Sequence, residues 1–177
     1  MWVWTDMVDN CPSTATASIE QIIPPMLSYA TMERPATVRT AAAYGLGVCA
    51  AQLGPAMAPF CCDIVAKLVG LVNHPESRVD DNEDATDNVV SALGKICLHQ
   101  SQFVDVSTLF PIWLAYLPLK ADLEEAAVCN DQLCTLLDRH ALTNFNAEQL
   151  VKLATVMAVG LREKHHTTPA VASKMQM

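Results

Sequence analysis

Apolar residues recur at i, i+3, i+4 and i+7 in segment after segment of the chain, the spacing that lines one face of an α-helix. Ile19, Ile22, Ile23, Met26, Leu27 and Ala30 make one stripe, and Val38, Ala41, Ala42, Gly45, Leu46, Cys49 and Leu53 make the next. Pro35 precedes the second, where a fixed φ and a missing N–H suit the first helical turn. Met57, Phe60, Cys61, Ile64, Val65, Leu68, Val69 and Val72 form a third that stops near Asn73-His74-Pro75. Val79, Thr86, Val89, Val90, Leu93, Ile96 and Cys97 follow an acidic first turn, which favours the positive end of a helix dipole. Leu109, Phe110, Trp113, Leu114 and Leu117 run up to Pro118, and Leu123, Ala126, Ala127, Leu133, Cys134 and Leu137 come after it. The last stripe is Leu150, Val151, Ala154, Met157, Ala158 and Leu161. Asp122 with Glu125, and Asn146 with Gln149, stand at capping-box spacing where two of these helices open.

With an N-terminal fragment through Met7 and Val8, the pattern predicts seven to eight helices. Corresponding helices begin near residues 18, 56, 106 and 147, a spacing of about 40 residues that matches HEAT and armadillo arrays. The expected fold is all-α, an α-solenoid of HEAT-type helical hairpins, because one such helix alone cannot offset its ordering entropy and must lean on its neighbours. Residues 1–163 are expected to form the array, about three and a half to four repeats. Residues 164–177 lose the pattern and are expected to be a disordered tail. From Ala41 to Cys62 the only clearly polar side chain is Gln52, which meets the length criterion for a membrane span. Gly54-Pro55 and Pro59 interrupt that stretch, so it predicts two buried helices instead.

Composition narrows the function. A hydrophobic content of 51% excludes general disorder, while sparse aromatics favour close-packed helices over a sandwich or barrel. A net charge of −8 argues against a phosphate-binding surface and fits a basic partner better. Neither a membrane nor nucleic acid is expected as a partner. The seven cysteines form no CxxC pair and no zinc-like spacing with histidine, which predicts reduced, packed thiols in cytosol or nucleus. The segment MWVWTDMVDN lacks the basic and apolar regions of a signal peptide. No Gly-rich phosphate loop, GxSxG elbow or HExxH helix occurs, so no catalytic, cofactor or metal site is expected. Arg39 reads as an inter-repeat hydrogen-bond donor, and Phe110, Trp113 and Tyr44 read as packing residues.

Three segments carry a family likeness. PATVRTAAAYGLG from Pro35 to Gly47 resembles the second helix of a HEAT repeat. NEDATDNVVSALGKI from Asn82 to Ile96 and FPIWLAYLPLKADLEEAAVCNDQLCTLL from Phe110 to Leu137 resemble the last repeats of importin-β-family karyopherins, the importin five branch above all. The likeness runs over roughly residues 20 to 140. It implies a C-terminal piece of a nuclear import receptor, cytoplasmic and nuclear, that binds basic cargo such as ribosomal proteins and histones. It also implies Ran-GTP and nucleoporins as partners, through repeats that precede this segment in the family. Phe-Gly repeats dock in that family between outer helices, where Phe60 or Trp113 would border a groove.

Acidic residues on the second helices are the candidate cargo contacts. On a helical wheel Asp80, Glu83, Asp84 and Asp87 fall on one side, away from the apolar stripe. Glu124, Asp131 and Asp138 recur every seven residues on a later helix. The two lines together are expected to hold a Lys/Arg-rich segment; the alternative is that both are solvated faces. Another HEAT scaffold, a phosphatase regulatory subunit or an assembly chaperone, is the other function compatible with the pattern.

Overall fold

The computed structural model describes residues 2–140, 145–162 and 168–176, apart from the side chains of Trp2, Asp80 and His140. Among the described residues there are ten α-helices and no strand. They are α1 (Trp2–Asn10), α2 (Pro12–Ala17), α3 (Ile19–Tyr29), α4 (Ala36–Gln52), α5 (Cys61–Val72), α6 (Glu83–His99), α7 (Val106–Tyr116), α8 (Leu123–His140), α9 (Ala147–Arg162) and α10 (Pro169–Met175). Two 3-10 turns, Gly54–Phe60 and Asp80–Asn82, lead into α5 and α6.

α3 packs on α4, α5 and α7 both pack on α6, and α9 packs on α7, α8 and α10, and the helices stack as a HEAT-type solenoid. An inner row runs α1, α4, α6, α8, α10, each helix against the next, while α3, α5, α7 and α9 form the outer layer. Sequence dictates the density of that row. The Ala-Ala-Ala-Tyr-Gly-Leu-Gly run gives α4 small residues on several sides, so it is buried almost all round between α1, α3 and α6. A methyl built on Gly47 would lie 3.1 Å from the Ala92 Cα, so the α4 and α6 backbones meet there with no room between them. On the far side of α6, Trp113 and Gln132 close over Gly94 in the same way.

The apolar stretch breaks where Gly54 and Pro55 stand. Gly54 takes a φ of 50°, open to glycine without steric cost, and turns the chain from α4 into the 3-10 segment. The stretch Gly54–Val72 is long and apolar enough by composition to cross a membrane. Here Met57, Cys61, Ile64, Leu68 and Val72 bury one side of it in the core, α5 packing against α6. Its other side is half open, so α4 matches the buried helix expected and α5 is amphipathic.

Three features depart from the expected pattern. Residues 169–175, placed in a patternless tail, form α10, which Thr168 caps at Val171 N–H and which buries Val171 and Met175 beside Cys134. In α9 the buried residues are Leu153, Val156 and Gly160, whereas Leu150 and Val151 are 53% and 68% exposed. The apolar stripe assigned to α9 thus faces solvent, because α9 meets α8 and α10 through a glycine and two β- or γ-branched residues on the opposite side. Val79 lies outside the stripe of α6, exposed in the turn that precedes it.

Candidate protein-binding face

The inner helices α4, α6 and α8 are joined by a ladder of polar side chains. Thr40 Oγ1 on α4 donates to Asp84 Oδ2 at 3.0 Å. Asn88 Nδ2 on α6 donates to Asp122 Oδ2 at 3.0 Å, and Asp122 Oδ1 in turn accepts the Glu125 N–H that opens α8. Ser91 and Lys95 both donate to Glu125 Oε2, the lysine at 2.7 Å. Lys95 Nζ also stands 5.2 Å from the centroid of the Tyr44 ring, a cation–π contact that returns the ladder to α4. Burial pushes the Tyr44 hydroxyl pKa up, and Glu125, Asp9, Asp122 and Glu124 push it further the same way.

Asp87 belongs to a different structure. It is fully buried, and its Oδ2 accepts the backbone N–H groups of Lys120, Ala121 and Asp122 at 2.7, 2.6 and 3.1 Å. Arg78 Nη1 donates to its Oδ1 at 2.5 Å, while Arg78 Nη2 donates to the Tyr116 carbonyl at 3.2 Å. One carboxylate therefore pins the loop ahead of α6 to the loop ahead of α8, with charge-assisted bonds offsetting its desolvation. Asp87 is thus not the exposed cargo contact that its position on the helical wheel, which registers only helix neighbours, leads one to expect. Here the neighbour is a loop, whose free N–H groups need an acceptor.

The remaining candidates divide. Glu83 stands 3.5 Å from Lys120, Asp131 accepts Lys174 at 2.5 Å, and Asp84 is exposed beside Thr40. Glu124 and Asp138 are exposed, without a hydrogen bond or ion pair among the described residues. The Asp80 side chain lies outside the described residues. The structure thus brings Asp84 and Glu124 to one edge of the inner face, with Asp122 and Glu125 between α6 and α8, two acids that sequence reasoning used only for a cap. Asp138 lies at the opposite end of α8.

Arg39 acts across repeats as expected. It donates to the carbonyls of Met32 at 3.4 Å and Arg34 at 2.5 Å and to the side chain of Asn82, which reaches back to the Glu76 carbonyl at 2.9 Å. Phe110 and Trp113 are buried in mutual contact, ring centroids 5.7 Å apart. Trp113 therefore borders no open groove; Phe103 does, with Val65, Val69, Val104 and Ile112, in a cleft of about 430 Å³ between α5 and α7. A second cleft of about 400 Å³ lies between α7 and α9.

The expectation of packed thiols holds for five of the seven cysteines, while Cys11 and Cys62 are exposed. Cys49, Cys61, Cys97, Cys129 and Cys134 are buried, and burial pushes the thiols of Cys49 and Cys97 up to about 12 and that of Cys61 up to about 11. No group of three His, Cys, Asp or Glu residues suited to a metal occurs among the described residues.

Comparison with known proteins agrees with the fold. No family model matches the chain. It is 26% identical over 164 residues to a probable importin-5 homolog of Dictyostelium discoideum, a match that covers 90% of this chain and 15% of that protein. It is 29% identical over 127 residues to importin subunit beta-3 of Saccharomyces cerevisiae, covering 71% of this chain and 12% of the yeast protein. The chain therefore spans less than a sixth of the length of these relatives. Both homologues support an importin-β-family karyopherin.

Proposed function

We propose that the chain is a non-catalytic protein-binding scaffold, part of a nuclear import receptor that shuttles between cytoplasm and nucleus, and that its inner face takes basic segments of cargo such as ribosomal proteins or histones. The observation that carries this reading is the negative edge formed by Asp84 and Glu124 over the Asp122 and Glu125 rungs, on a face where three inner helices lie side by side. Exposed carboxylates so arranged attract Lys and Arg side chains and raise the association rate of a basic partner at low salt. Such a scaffold acts by differential binding: cargo prefers one arrangement of the stacked pairs, and any change in that arrangement releases it. Ran-GTP and nucleoporins fit this reading as partners of the longer receptor, and the apolar α5–α7 cleft has the lining a Phe-Gly segment needs.

Binding of a Lys/Arg-rich peptide, followed by fluorescence anisotropy at low and high salt, tests the reading. The double variant Asp84→Lys, Glu124→Lys is expected to abolish the low-salt binding, since both residues are exposed and Asp84 gives up only its surface bond to Thr40. Undiminished binding by that variant rules the acidic edge out. Asp87 is unsuitable for the purpose, because its loss disrupts the loops it holds.

A further inference from the structure

Toward the C-terminal ends of α6 and α8 the inner face carries basic side chains. Lys95 and His99 stand one turn apart on α6, Arg139 comes from the last turn of α8, and together they line a groove of about 570 Å³ closed on one side by α10. Two of the charges there are already satisfied: Glu125 neutralises Lys95, and Lys174 neutralises Asp131. Arg139 and His99 have no carboxylate partner among the described residues. Gln132, 4% exposed, also lines the groove; its Oε1 is buried without a partner and no described residue bonds its Nε2. That oxygen turns toward Gly94, so the donors the groove offers are the exposed Arg139 and His99, beside an apolar wall that includes Leu98, Ala127 and Val128. Burial, then Arg139, then Lys95 hold the His99 pKa below its ordinary value, so the groove disfavours added positive charge.

We propose that this groove docks an acidic peptide segment of a partner protein, carboxylates meeting Arg139 and His99 and apolar side chains meeting Val128 and Leu98. A guanidinium offers a carboxylate two parallel N–H bonds, and the apolar walls select a chain carrying Leu or Val between its acids over a free small anion. The two ends of one face would then recognise segments of opposite charge, which goes beyond the binding of basic cargo.

The test is fluorescence anisotropy of a fluorescein-labelled peptide of Glu-Glu-Leu repeats with the full chain, beside a Lys-Lys-Leu control. The acidic peptide is expected to bind, and Arg139→Glu to weaken it about tenfold or more, equal to about 1.4 kcal/mol. Val128→Glu, on the exposed wall, should do the same, whereas Asp84→Lys with Glu124→Lys should leave this peptide bound. Occupancy should also raise the His99 titration midpoint seen by NMR. Circular dichroism of each variant confirms that helicity is retained; should Arg139→Glu lose it, Val128→Glu carries the test. Absence of binding, or binding indifferent to both groove variants, overturns the proposal.

Discussion

The inner row holds two junctions of the same topology and different material. Where α4 meets α6, Gly47 lets backbone touch backbone, and Leu46, Val89, Val90 and Leu93 lie in the main core with no exposure to speak of. Where α8 meets α10, the buried contact is a separate cluster of Cys134, Val171 and Met175, tied at the surface by Lys174 to Asp131. Stability in a repeat array is a sum over neighbouring interfaces, so the two junctions need not hold equally. The dense one fixes the spacing of the acidic edge; the sparse one lets a groove open beside α10. Low local contact density is where a protein opens first, and binding surfaces are drawn from such regions.

Two ion pairs give the largest expected contrast. Arg78–Asp87 is buried at the carboxylate and backed by three backbone donors, whereas Lys174–Asp131 has both partners about half exposed. Asp87→Ala is expected to cost about 3–5 kcal/mol in urea unfolding, since it leaves a cation and three N–H groups without an acceptor. Lys174→Ala should leave the midpoint unchanged within error, because water replaces the lost contact. Equal losses from both would show that the two ends are held with similar strength.

Glycines provide a finer probe of the same contrast. At Gly47 an added methyl meets the Ala92 Cα at 3.1 Å, a backbone atom that cannot turn aside. At Gly160 it meets only side-chain ends, the Met175 methyl at 3.1 Å and the Asn130 amide at 3.0 Å, contacts that a shift of a few tenths of an ångström relieves. Gly47→Ala is therefore expected to cost about 1–3 kcal/mol as α4 and α6 are forced apart. Gly160→Ala should stay within about 0.5 kcal/mol of the parent, with helix propensity offsetting the small repacking.

These junctions also explain what the sequence made legible. Stripes in α3, α4, α6 and α8 were readable because most of their apolar residues face the core, and period 3.6 records that directly. The Asn146–Gln149 capping box formed in both directions, Asn146 N–H to Gln149 Oε1 and Gln149 N–H to Asn146 Oδ1. At Asp122–Glu125 only half of it formed, since Glu125 turned instead to Ser91 and Lys95, partners 34 and 30 residues away that no local spacing encodes. The face of α9 was misread because its apolar residues cover more than one side, and hydrophobicity alone does not say which side has a neighbour. α10 escaped notice because a single turn of buried residues, Val171 and Met175, is too short to display a period. For the site, the chain showed which acids were available, and only tertiary packing separated exposed Asp84, Glu124 and Asp138 from buried Asp87.

The smallest effect concerns His99, at the cationic end. Its folded pKa lies below the ordinary 6.5, burial being the larger cause and Arg139 the next. The unfolded chain thus binds this proton more readily, so stability declines as pH falls below that ordinary value, and the decline ceases once the folded imidazole is protonated too. Arg139→Gln removes the second cause and keeps the first. The His99 midpoint, followed by NMR of the imidazole protons, should therefore rise in that variant yet remain under 6.5. A midpoint that does not move would place Arg139 too far from His99 for one carboxylate to reach both, and would separate the groove into two unrelated charges.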